Sequence, residues 1–145
     1  MAYETVSHAL VWVDGKVVLT RRDDGKSWEI GATQAPKRGE GLDEACARAL
    51  FERFGVEAER NDPTAKVCSR GNAGSALVFE YSSEPLPVQP GVAYLLLSPR
   101  ELNGMIAERT IQLAPLSRQT WQRWQSVAGS LPRETAVKAP AYGMA

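Results

Sequence analysis

Between Trp28 and Val56 the chain reads WEIGATQAPKRGEGLDEACARALFERFGV, a Gly- and Pro-rich loop that feeds a short helix and stops at Gly55. Leu42, Ala45, Cys46, Ala49, Leu50 and Phe54 recur at helical spacing, so one face of the helix is apolar and needs a surface to lie on. Asp43 and Glu44 fall in the first turn, where the positive end of the helix dipole favours them, and Gly55 is a natural C-terminal stop. The rest of the chain reads as scaffold for this loop and helix.

That scaffold is mostly strand. Val6 to Arg22 contains two apolar runs separated by Asp14-Gly15, the dipeptide of a tight hairpin turn. Asp23 to Lys26 make a polar loop, and Trp28-Glu29-Ile30 is a brief strand entering the Gly/Pro segment. Lys66 to Arg70 and Ala76 to Tyr81 read as strands around a flexible turn, Gly71 to Ser75. Pro85, Pro87 and Pro90 mark a loop before a further strand, Val92 to Leu97. Five strands is the minimum count. Ser98-Pro99 starts a short helix as cap and first residue, and a last helix from about Leu116 carries Trp121, Trp124 and Val127 on one side.

With 145 residues and 43% hydrophobic content, a single domain with a real core is expected over residues 1–130, followed by a loosely held tail, 131–145. The 17 basic and 17 acidic residues balance and form no long basic run, which argues against nucleic acid or a membrane surface as partner. Cys46 and Cys68 lack metal-type spacing and both read as core residues. No secretory leader is visible at the N-terminus, so a cytoplasmic location is expected.

The order of hairpin, loop with Gly-Glu, helix ending in Gly, further strands and C-terminal helix resembles the Nudix fold from Val6 to Val127. The box of that family runs Gly, five residues, Glu, seven residues, Arg-Glu-apolar, one residue, Glu-Glu, one residue, Gly-apolar. Anchored on Gly55, Glu40, Arg48, Leu50, Glu52, Gly55 and Val56 stay in register, while Gln34, Ala49 and Arg53 replace the first Gly and two of the glutamates. The resemblance implies an α+β fold, an α/β/α sandwich with a mixed sheet. It also implies that Glu40 and Arg48 bracket loop to helix. In the family the helix carboxylates hold a divalent cation. Arg53 puts a positive charge where that cation would sit, and Glu52, four residues beyond Arg48, is placed for an ion pair with it. No metal or other cofactor is therefore expected.

Within the superfamily the segment is most similar to the type I isopentenyl-diphosphate isomerases, through Thr20-Arg21-Arg22, Trp28, Pro36, Gly39 and Glu40, and through Gly104 to Trp121. The parent reaction uses a thiol, a His/Glu metal cage and an aromatic ring beside a cation. Here the thiol position is Thr33 and the His position Ala35. The paired glutamates fall on Asn72 and Gly74, and the Trp on Ile111. Four elements are missing together.

The residues left to carry chemistry are His8, Thr33, Glu52, Glu80 and Tyr81. Those expected to bind substrate are Trp12, Arg21, Arg22, Lys26, Trp28 and Gln34. His8, the sole histidine, shares a strand face with Val6, Leu10 and Trp12, and is expected to point into the cavity between hairpin and helix. One of Glu80 and Tyr81 must face away from Val78. Trp12 and Trp28 are expected to wall a metal-free pocket suited to an apolar or isoprenoid-like ligand, whereas Trp121 and Trp124 read as the buried stripe of the last helix. That helix also offers a homodimer surface.

These readings lead to a diverged isomerase-like protein that binds a small apolar or isoprenoid-like metabolite and performs metal-independent isomerisation or cyclisation by proton transfer. Two alternatives stand beside it: a non-catalytic ligand- or partner-binding scaffold, and a weak metal-dependent diphosphohydrolase built on Glu40 and Glu52.

Overall fold

The computed structural model describes residues 5–58, 63–83 and 91–129. The expected tail, 131–145, and the Pro85 to Pro90 loop lie outside them.

The hairpin forms as its turn chemistry requires. β1 (Thr5–Val13) and β2 (Lys16–Arg21) pair antiparallel through Val13↔Lys16, and both Asp14 and Gly15 take positive φ, 51° and 77°. β3 (Trp28–Ile30) continues onto the outer edge of β2. β4 (Ala32–Gln34), which the sequence did not mark as a strand, pairs with β1 instead, through Ser7↔Gln34, His8↔Thr33 and Ala9↔Ala32. The step between the two partners is made at Gly31, with φ of 70°, where a Cβ would fall 1.7 Å from the Ala9 carbonyl oxygen. Only glycine permits that approach.

α1 (Leu42–Phe54) has the expected bounds. Its cap residue Gly41 has no side chain, so the entry is held from inside, where the Glu44 carboxylate accepts the Gly41 N–H at 2.9 Å. Gly55, with φ of 72°, closes the other end by donating to the Phe51 carbonyl. β5 (Thr64–Gly71) and β6 (Gly74–Ser82) form an antiparallel hairpin tighter than expected. Gly71 and Gly74 are paired partners, leaving only two residues in the turn. β7 (Tyr94–Leu97) pairs with β2, and α2 (Pro99–Ala107) carries the Ser98 cap, whose Oγ accepts from the Glu101 N–H. α3 is Pro115–Gly129.

The strands form one mixed sheet, with order β3-β2-β1-β6-β5; β4 joins at β1 and β7 at β2. β1 runs parallel to β6 from Thr5↔Ser75 to Trp12↔Ser82. Being buried on both faces, β1 sorts its side chains by alternation. Ala9, Val11 and Val13 pack under α1 with Ala49, Leu50 and Phe54. Leu10 and Trp12 pack on the opposite face with Leu102 of α2 and Trp121 of α3. Helices on both faces make this the expected α/β/α sandwich. Among the described residues, no helix is long and apolar enough to cross a membrane.

Candidate functional site

The residues that keep the register of the family box gather on the α1 face. Arg48 forks onto Glu40, with Nε to Oε2 at 3.1 Å and Nη2 to Oε1 at 2.9 Å, and Nη2 also donates to the Ala35 carbonyl at 2.8 Å. The Lys37 N–H adds a third donor to Glu40, at 2.9 Å. These bonds, the guanidinium's first, hold the Glu40 carboxyl down at about 2, and the same contact raises the Arg48 pKa. This is the bracket the sequence implied: loop and helix locked by a two-point charged hydrogen bond.

Glu52, one turn along, accepts from Gln34 Nε2 at 2.5 Å and sits 3.5 Å from Arg48 Nη1. Arg53 reaches across to Glu29 of β3, 3.6 Å from its Oε2. Glu29 itself is 4% exposed, and its Oε1 accepts the Thr33 hydroxyl at 2.5 Å. The result is two neighbouring polar sets, Glu40–Arg48–Glu52–Gln34 and Arg53–Glu29–Thr33, in which Glu29, Glu40 and Glu52 are each met by a guanidinium.

Glu29 is the member that sequence reasoning missed. It stands between Trp28 and Ile30, both packed on the opposite core, so strand alternation alone turns it toward α1. A lone charge in a strand this short was the available signal.

The divalent cation implied by the resemblance can be tested against these donors. Among the described residues, no three His, Cys, Asp or Glu side chains come together in a ligating group. Ala49 supplies no oxygen, Glu52 is spent on Arg48 and Gln34, and Glu29 is spent on Arg53 and Thr33. The residues present do not fit the cation.

The other expected site residues disperse. His8 does share a face with Leu10, but α3 covers that face, so His8 points away from α1 and lies buried in the second core. Its Nε2 donates to the Ile30 carbonyl. Burial lowers its pKa, against the opposing charge of Glu29 and the Ile30 bond, so the ring is neutral at pH 7. Tyr81 is the residue that faces away from Val78, packed beside the α1 core, while Glu80 accepts from Trp124 Nε1 at 2.8 Å on the α3 face.

Trp12 does not wall an open pocket. It is 2% exposed and lies 5.4 Å from Trp124 and 6.5 Å from Trp121, ring centre to ring centre. Trp28 packs on the same α3-side core, with the Arg21 guanidinium 5.7 Å from its ring centre. Trp12 is thus a core residue, because alternation along β1 assigns it to the crowded α3 face. Arg21, Arg22 and Lys26 are exposed, apart from the α1-face cluster's ion pairs. A cavity of about 340 Å³ opens at Thr5, Arg70, Gly71, Gly74 and Ser75 and contains none of the expected residues. Cys46 is buried as expected, its thiol pushed up to about 12 by desolvation, but Cys68 is exposed, its place on β5 turning it outward.

No family model and no curated protein matches the chain. Solved structures do. A Deinococcus radiodurans protein, DR0079, superposes with a TM-score of 0.70 at 19% identity, covering 86% of this chain and 85% of that one. The MutT NUDIX hydrolase of Burkholderia pseudomallei gives 0.61 at 18% identity, covering 83% and 96%, and the Nudix hydrolase RenU of M. smegmatis gives 0.57 at 18%, covering 91% and 90%. With the mixed sheet between α1 and the α2/α3 face, the chain has the Nudix fold.

Proposed function

We propose that this chain is a Nudix-fold protein that binds a small ligand without a divalent cation, at the polar cluster of Glu29, Thr33, Gln34, Glu52 and Arg53. The observation that carries this reading is the Arg53–Glu29 ion pair, which spends a fixed positive charge where the family's box places a carboxylate. Hydrolysis of a diphosphate in this fold draws on carboxylates free to hold a cation and activate water. Here guanidiniums already occupy them. The ligand expected from the resemblance is small and largely apolar or isoprenoid-like, with one polar or anionic group that meets Arg53 and Gln34.

A second reading, metal-independent isomerisation or cyclisation by proton transfer, is favoured by one contact. Thr33 stands at the thiol position of the isomerases and donates to Glu29, so a buried carboxylate lies beside that point. Glu29, rather than His8 or Glu80, is then the acid–base candidate.

Calorimetry with Mg²⁺ and Mn²⁺ comes first, and no saturable binding is expected. Stoichiometric binding abolished by Glu52→Gln would overturn the proposal in favour of the diphosphohydrolase. Titration with isopentenyl diphosphate and with the corresponding neutral alcohol, followed by NMR in heavy water, separates the two readings. Binding lost in Arg53→Met without deuterium uptake supports a binding protein, and deuterium uptake abolished by Glu29→Gln supports catalysis.

A further inference from the structure

On the face of the sheet away from that cluster, α3 presents Ser117, Thr120, Trp121 and Trp124, spaced so that all four face β1. Between them and the sheet lies a narrow crevice walled by Leu10, Ile30, Trp121 and Trp124 and reached by His8 and Thr120. Two of the lining residues carry a buried polar atom with no hydrogen-bond partner among the described residues: His8 Nδ1 and Thr120 Oγ1. Both side chains are almost wholly inaccessible, at 0% and 3%. The crevice has no room for a water molecule, so solvent cannot satisfy them as the walls stand.

Buried polar atoms without partners are uncommon in folded proteins, and two in one crevice call for a common reason. Their chemistry is complementary. Because His8 Nε2 carries its proton to the Ile30 carbonyl, the neutral ring presents Nδ1 as a lone pair that needs a donor. The Thr120 hydroxyl can give a proton. A single hydroxyl group has the chemistry to satisfy both, donating to Nδ1 and accepting from Thr120.

The walls around those two atoms are aromatic and aliphatic. The outermost of them is Trp124, which is only half-buried and is tied by its Nε1–H to Glu80 Oε2 at 2.8 Å, while Trp121, tied to Asn103 Oδ1 at 2.9 Å, is 1% exposed. We infer that the space between β1 and α3 is a closed binding site for a small neutral, hydroxyl-bearing planar molecule, with Trp124 as its door and Glu80 as the latch. The site is separate from the α1-face cluster and stands whether or not that cluster binds a ligand.

Phenol is the probe and benzene its control, titrated into the full chain by tryptophan fluorescence and by ¹⁵N NMR of the imidazole. His8 is the only histidine, so its two ring nitrogens give one unambiguous pair of signals. Phenol is expected to bind at one saturable site and to shift the Nδ1 resonance, which benzene leaves in place. Thr120→Val keeps the side-chain volume and removes an unsatisfied hydroxyl, so it folds; it is expected to weaken phenol about tenfold and leave benzene unchanged. Glu80→Ala releases the door and is expected to tighten phenol binding. The inference is overturned if phenol fails to saturate both the wild type and Glu80→Ala, or if phenol and benzene bind alike and Thr120→Val affects neither.

Discussion

Removing the charge of Arg53 while keeping most of its aliphatic stem, as Arg53→Met does, leaves Glu29 buried beside Thr33 with its ion-pair partner gone. At 3.6 Å, Coulomb's law gives about 4.6 kcal/mol for an effective dielectric of about 20 and about 1.2 kcal/mol in water. The Arg53 side chain is 29% exposed and Glu29 only 5%, so the pair lies between those limits, and solvent reaching the guanidinium pulls the value down. A loss of about 2–3 kcal/mol is expected, below the usual cost of stripping one partner from a fully buried pair. In urea this is a lower midpoint at unchanged slope, and by heating a drop of about 5–10 °C. Glu29→Gln in the same background removes the stranded charge and is expected to recover more than half of the loss. If Arg53→Met changes stability by less than about 0.5 kcal/mol, or the double variant shows no coupling to Glu29→Gln, the pair is an incidental surface contact and the account of the cluster fails.

The Glu40–Arg48 bracket has a definite pH signature: the folded carboxyl titrates at about 2 against an ordinary 4.5, so its stabilisation is complete above the ordinary value and lost as pH falls through the folded one. The melting-temperature gap between wild type and Glu40→Gln is therefore expected to close between about pH 4.5 and 2; a gap constant over that range would contradict it. Gly31→Ala drives a methyl group into the Ala9 carbonyl and adds left-handed strain. It is expected to destabilise the chain by about 3 kcal/mol or more, read by urea melts, and a near-neutral result would refute the crossing geometry. A thiol reagent is expected to label Cys68 rapidly and Cys46 only on unfolding, giving one fast equivalent per chain by absorbance.

Local chemistry was legible and long-range partnering was not. Asp14-Gly15, Gly55, Ser98-Pro99 and the Glu40–Arg48 spacing each carry their geometry within a few residues, and each forms as read. The alternation of β1 correctly grouped His8 with Leu10 and Trp12. It gave no means of telling which helix covers that face or how tightly, and reading the face as a cavity wall turned a core histidine and a core tryptophan into pocket residues. Arg53 was legible as a misplaced charge, but its partner Glu29 lies across the whole loop, on β3. β4 escaped because three residues carry too little pattern, and its pairing depends on the bend at Gly31. Cys68 was misplaced for a simpler reason: β5 lies at the end of the sheet order, where one strand face is open.

The crossing at Gly31 divides the labour along one edge of β1. β2 holds the Trp12–Val13 end and β4 holds the Ser7–Ala9 end, while β6 secures the other edge along its length. Peeling β4 away therefore breaks three residue pairs and releases Thr33, Gln34 and the start of the loop, yet leaves the β3-β2-β1 ladder and the parallel β1–β6 seam intact. Thr33 and Gln34, two members of the polar cluster, thus hang on a strand held to the sheet by three residue pairs. Amide exchange should run in that order, with Ala32 to Gln34 opening by a local fluctuation and the β6 amides facing β1 waiting for the whole domain to unfold.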